Sequence, residues 1–192
     1  MIRAGISTAC FYPETTERSL ELTAAAGAVC TEIFVNADQE FSPRCFQAYG
    51  RFAKENGIDI VSIHPYTSGF ETALFFSDYL RRLEDGLHLY SRFFELAASV
   101  GARYFVLHGA AIKAKLEDAC IFERFGLLAR QARSFGVTLL QENVARCKSR
   151  CPAYIRAMRA ALGEEAAFVL DVKQAVRAGF SVGEMQEAMG EG

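Results

Sequence analysis

Two histidines, a glutamate and an aspartate stand at matching places in this chain, each closing a short apolar run. His64 ends the run Ile58–His64, His108 ends Tyr104–His108, Glu142 ends Val137–Glu142, and Asp171 lies near the end of Phe168–Val172. A carboxylate at the end of an apolar strand is costly to bury unless a cation or hydrogen-bond donors meet it. Imidazole and carboxylate together make an N/O set suited to Zn²⁺, Mn²⁺ or a similar divalent ion. Each residue alone has an ordinary explanation. A strand-end histidine is commonly a hydrogen-bonded structural residue. Glu142 could cap the next helix or pair with Arg146, and Asp171 could cap a helix. Four of them at the same end of successive runs favour a shared ion or substrate. Glu32, on an earlier run, is balanced between a substrate contact and an ion pair with an arginine.

The loop after Glu142 carries Arg146, Lys148 and Arg150. A phosphate would find donors there, and a solvated basic loop is the equal alternative. Lys173, two residues past Asp171, is a further candidate at the site. Tyr12 and Tyr66 follow the first and third runs and are candidate aromatic walls. His88 falls inside a long helical stretch and is expected to face solvent or to pack. Cys147 and Cys151 are four apart, but no CxxC motif is present. They and the other four cysteines are expected to be free thiols.

These residues need a frame that brings strand ends together. One pattern repeats along the chain: an amphipathic stretch ends in glycine, and a β-rich apolar run follows. It occurs at Gly27, Gly57, Gly101, Gly136 and Gly163. Glycine suits the left-handed position that closes a helix. Runs that are nearly continuous in apolar residues mark strands buried on both faces, as in a parallel sheet. Between Asp78 and Val100, Leu80, Leu83, Leu87, Tyr90, Phe94 and Ala97 form one helical stripe. Strand and helix alternate six times from Ile2–Ser7 onward, which predicts an α/β fold. No GxGxxG follows the first run, against a dinucleotide-binding sheet and in favour of a (β/α) barrel of the TIM type. Ser181 and Glu184 predict a capping box for a last helix. A complete barrel takes about 250 residues. With 192 residues, the expectation is a single domain, 1–192, forming an incomplete barrel of about six βα units with the last two missing. A homo-oligomer covering the open edge is the expected remedy for exposed strands.

Composition agrees with an ordinary globular domain: 51% hydrophobic, 23% charged, net charge -2. Such a balance argues against a general nucleic-acid or membrane surface. No apolar run reaches the roughly 18–20 residues of a membrane span. The start MIRAGIST lacks the regions of a signal peptide, so the expected location is the cytoplasm.

The strand ends IHPYT, FVLHGA, LLQENV and FVLDVKQA, in this order and spacing, resemble the xylose isomerase-like barrel superfamily. That group includes sugar and sugar-phosphate isomerases and epimerases, and family 2 apurinic endonucleases. The resemblance implies that His64 and His108 lie around a metal and substrate. It implies that Glu142 is a metal ligand and acid/base group, and that Asp171 is a second ligand. The group usually has a histidine three residues after that aspartate, where this chain has Gln174, suited to a substrate hydroxyl and poor for a metal. Further ligands from a seventh and eighth strand have no counterpart here.

The implied function is a metal-dependent isomerase or epimerase of a small sugar or sugar phosphate. Its cofactor would be Mn²⁺, Zn²⁺, Co²⁺ or Mg²⁺, and Glu142 would move a proton through an enediolate, helped by a group the sequence does not contain, while His64 and His108 would bind the ion or the substrate oxygens. One alternative is a non-catalytic or truncated barrel that binds a ligand or partner. The other, an apurinic endonuclease, is disfavoured because that activity implies a histidine-rich three-zinc site, and the chain has three histidines in all.

Overall fold

In a computed structural model, residues 3–190 are described. The elements run in order: β1 (Ile6–Ser7), α1 (Thr16–Ala25), β2 (Cys30–Phe34), α2 (Pro43–Glu55), β3 (Asp59–His64), α3 (Glu71–Phe75), α4 (Leu80–Ser99), β4 (Tyr104–Leu107), α5 (Asp118–Ser134), β5 (Thr138–Glu142), α6 (Pro152–Leu162), β6 (Phe168–Val169), α7 (Val172–Ala178) and α8 (Val182–Met189). The six strands form one sheet in sequence order, and the pairings described are parallel. This is an incomplete α/β barrel of the TIM type. Its strands therefore all end on one edge, and His64, His108 and Glu142 lie at the ends of three consecutive strands.

Local rules explain most boundaries. The closing glycines take positive φ, Gly101 at 75° for instance, a backbone state that side chains with a Cβ resist. Ser42 caps α2 by accepting from the Cys45 amide, with Pro43 in the first turn. Ser181 and Glu184 close the expected capping box on α8. Two strands are shorter than the apolar runs suggest. β1 is only Ile6–Ser7, and Ile2 lies outside the described residues. β6 stops at Val169 because Asp171 turns to cap α7, making Val172 a helical residue. The short helix α3 has no periodic signal in the sequence and was not expected.

The chain packs as two compact units. One comprises the described residues through Tyr66 with Arg92–Phe105 and Phe135–Val137; the other comprises Thr67–Ser91, Val106–Ser134 and residues from Thr138 onward. In the first, Phe41 stacks on Phe93 with ring centroids 3.8 Å apart, and Phe94 meets Phe105 edge-on at 5.1 Å. In the second, Ile155, Ala175, Met185 and Ala188 form a buried cluster that joins α6, α7 and α8. Phe75 there meets Tyr90 edge-on at 4.7 Å. The buried Arg124 donates to the carbonyls of Phe75 and Ser77, both at 2.7 Å, which satisfies a charge otherwise costly to bury. Among the described residues, no helix is long and apolar enough to cross a membrane.

Candidate metal centre

In the second unit, β4 and β5 deliver His108 and Glu142 to one place. His108 Nε2 lies 3.0 Å from Glu142 Oε2, with both side chains about one-tenth exposed. An imidazole and a carboxylate brought together out of water form an N/O pair that fits a divalent ion. The same pair suits proton transfer.

Several side chains hold this pair in place. Gln141, buried on β5, donates from Nε2 to the carbonyls of Leu107, His108 and Glu142 at 3.2, 2.9 and 2.9 Å. Gly109 follows His108 with φ of 84°, and a Cβ there would lie 2.6 Å from Gln141 Oε1. Only glycine accommodates both the angle and the approach. From α3, Glu71 Oε2 accepts the Gly109 amide at 2.7 Å, and Thr72 Oγ1 accepts the Ala111 amide at 2.8 Å. Glu71 is fully buried. Burial pushes its carboxyl well above the usual carboxylate range, against the pull of the Gly109 and His108 amides and the Tyr90 hydroxyl. Arg146 Nη2 lies 2.8 Å from His108 Nδ1.

Asp171 lies in this unit too, where its Oδ1 accepts the Gln174 amide at 2.8 Å as the N-cap of α7. Its backbone is paired with Asn143: the Asn143 Nδ2 donates to the Asp171 carbonyl at 2.9 Å, and the Asp171 amide donates to Asn143 Oδ1 at 2.7 Å. Gln174 Oε1 accepts the Ala145 amide at 3.0 Å, bracing the loop after β5. The basic loop is largely committed inward. Lys148 Nζ meets Asp118 at 2.6 Å and the Leu116 carbonyl at 3.3 Å, while Arg150 donates to the Ala178 carbonyl at 3.0 Å. Lys173 is exposed on α7.

In the first unit, His64 is buried at the end of β3 and stacks on Phe34 at 4.4 Å between centroids. Its Nδ1 lies 3.3 Å from the Pro65 carbonyl. Glu32 sits in a rung with Ser7 and Ser62 on the flanking strands. Its two oxygens accept their hydroxyls at 2.9 and 3.1 Å, so its partners are serines rather than an arginine. Tyr66 donates to Asp38 Oδ1 at 3.1 Å and tilts against Phe41 and Phe93. Tyr12 is exposed. His88 is exposed on α4. All six cysteines are free, and burial pushes the Cys147 thiol up to about 12.

Sequence reasoning passed over Glu71, Gln141 and Asn143. Gln141 and Asn143 flank Glu142, and two polar residues beside a strand-end carboxylate were a readable signal. Glu71 gave none, because nothing in its neighbourhood marks the short α3 as an element.

Residues 20–190 match the pattern of the xylose isomerase-like TIM barrel. A D-tagatose 3-epimerase-like protein superposes with a TM-score of 0.79 at 16% identity, over 98% of this chain and 71% of that one. D-psicose 3-epimerase from Clostridium cellulolyticum H10 gives 0.78 at 14% identity, over 98% and 70%. A xylose isomerase domain protein from Planctomyces limnophilus gives 0.73 at 13% identity, over 96% of this chain and 66% of its own length. The chain thus spans just under two thirds of that last protein. Comparison with curated protein sequences gave no match. At these identities the superpositions establish the fold, and with the sequence pattern they place the chain in the xylose isomerase-like TIM-barrel family.

Proposed function

We propose that this chain carries the site of a metal-dependent isomerase or epimerase acting on a small sugar. The observation that carries the reading is the buried pair at the ends of β4 and β5, where His108 Nε2 and Glu142 Oε2 lie 3.0 Å apart. His64 closes the preceding strand and is buried, and it is a further candidate ligand. Asp171 is a candidate fourth ligand through the carboxylate oxygen not used in the cap. The resemblance to sugar epimerases supports a sugar as substrate.

A bound divalent ion would polarise a carbonyl oxygen and ease removal of the proton on the neighbouring carbon. Glu142 then acts as the base that takes that proton and returns it to the adjacent carbon, whereas epimerisation would draw the returning proton from a second acid on the opposite face. His108 holds Glu142 in place through their shared contact and stabilises charge on a substrate oxygen. Glu32, Tyr12, Tyr66, Lys173 and Gln174 are proposed as substrate contacts at the strand ends. Lys148 and Arg150 already have internal partners, which favours an unphosphorylated sugar over a sugar phosphate and leaves Arg146 as the cation for a substrate oxygen.

The test is metal content of the purified chain, measured for the parent and for Glu142→Ala, with solvent-deuterium incorporation into small ketoses as the readout of proton transfer. The reading expects stoichiometric metal in the parent, loss in the variant and deuterium incorporation only in the parent. Unchanged metal in Glu142→Ala removes Glu142 from the ion, and no incorporation in a metal-loaded parent overturns the isomerase reading.

A further inference from the structure

The contact between Arg146 and His108 sets the state of the imidazole. A guanidinium has five N–H donors, no acceptor, and keeps its charge in proteins. With Arg146 Nη2 at 2.8 Å, His108 Nδ1 must be the acceptor. A neutral imidazole has one donating and one accepting nitrogen. Nε2 therefore carries the hydrogen and presents it to Glu142 Oε2 at 3.0 Å. The ring's single in-plane lone pair is given to Arg146. A metal-bound histidine normally has the reverse arrangement, with its second nitrogen donating to a carboxylate, carbonyl or water.

We propose that Arg146 gates the ion site: the guanidinium and a divalent cation are alternative partners of His108, and Arg146 must leave Nδ1 before the ring can bind the ion. This rests on the reading of His108 as a ligand given above. The exchange balances without net gain or loss of a proton by the ring. When Arg146 withdraws, the hydrogen on Nε2 is lost and one is taken up at Nδ1, so the Nε2 lone pair becomes available beside Glu142. If the ion binds Nδ1 instead, Arg146 must still leave. Arg146 is exposed on the loop after β5, so withdrawal into water buries nothing and leaves the guanidinium at the mouth of the site, free to meet a substrate oxygen. Ion loading and release of Arg146 are thereby one event.

The experiment compares the parent chain, freed of metal, with Arg146→Met, which removes both donor and charge, and Arg146→Lys, which keeps a donor-only cation. Long-range ¹H–¹⁵N spectra read the position of the ring hydrogen on His108, and titration with Co²⁺ reads affinity through its visible absorption. The expected result is a hydrogen on Nε2 in the parent, Co²⁺ binding at least about tenfold tighter in Arg146→Met, and near-parent binding in Arg146→Lys. Equal or weaker binding in Arg146→Met overturns the gate. A ring hydrogen on Nδ1 in the metal-free parent also overturns it, even if Co²⁺ binds well. Absence of Co²⁺ binding in all three chains, with the hydrogen on Nε2, instead refutes the ion reading of His108 and the gate falls with it.

Discussion

Glu71 Oε2 accepts the Gly109 amide at 2.7 Å, so a carboxyl on α3 fixes the residue that follows His108. Replacing Glu71 with alanine leaves buried donors unsatisfied, each costing about 1–3 kcal/mol. Glu71→Ala is expected to lose roughly 3 kcal/mol or more in denaturant unfolding. Glu71→Gln, which keeps an acceptor in place, should lose less than half as much. Equal losses would mean that α3 is stabilised by volume alone.

Gly109 offers a second check on the same loop. Alanine there meets both the positive φ of 84° and Gln141 Oε1 at 2.6 Å. We expect a loss of about 2–4 kcal/mol by chemical denaturation. Gln141→Ala combined with Gly109→Ala removes the clash but not the angle. The double variant should therefore cost less than the sum of the singles.

Asp171 separates two roles that one carboxylate can play. Serine caps a helix nearly as well as aspartate, so Asp171→Ser should keep the melting temperature of the parent while Asp171→Ala loses about 1 kcal/mol. If Asp171 is also a ligand, both variants bind metal more weakly. Full metal affinity in Asp171→Ser would assign the residue to the cap of α7 alone.

The pH dependence of stability should carry the mark of Asp59. Its carboxylate accepts from Arg3 at 2.5 Å and from Arg103 at 3.2 Å. These contacts, Arg3 foremost, hold its pKa below the usual 3.8. The unfolded chain then binds the proton more readily than the folded one. The contribution is fully present above the ordinary carboxylate range and fades as pH falls through the lowered folded value. Asp59→Asn should lower stability across the neutral region, where the contribution is present, and converge with the parent at low pH, which flattens the acid limb of the profile below about pH 4. A parallel shift of the whole curve would show that packing, not charge, is at stake.

The architecture was legible because its signals are local and repeated. Apolar runs and closing glycines at Gly27, Gly57, Gly101, Gly136 and Gly163 mark where strands and helices meet, and six strands appear where six runs were read. His108 and Glu142 could be found because a polar residue ending an apolar run is conspicuous. The cap formed by Asp171 was legible only as an alternative to a ligand role, since either uses the same carboxylate. Lys148 and Arg150 read as free cations because their partners, Asp118 and the Leu116 and Ala178 carbonyls, are remote in sequence. Glu71 was illegible for a related reason: its meaning comes from Gly109, 38 residues away.

The single amide of Gln141 reaches the carbonyls of both His108 and Glu142. The backbones of His108 and Glu142 are thus fastened to one clamp, and neither can shift without straining the other. Substitutions at the two positions should behave as one mechanical unit in any double-mutant cycle, and an engineer wishing to move either residue would have to rebuild the glutamine first.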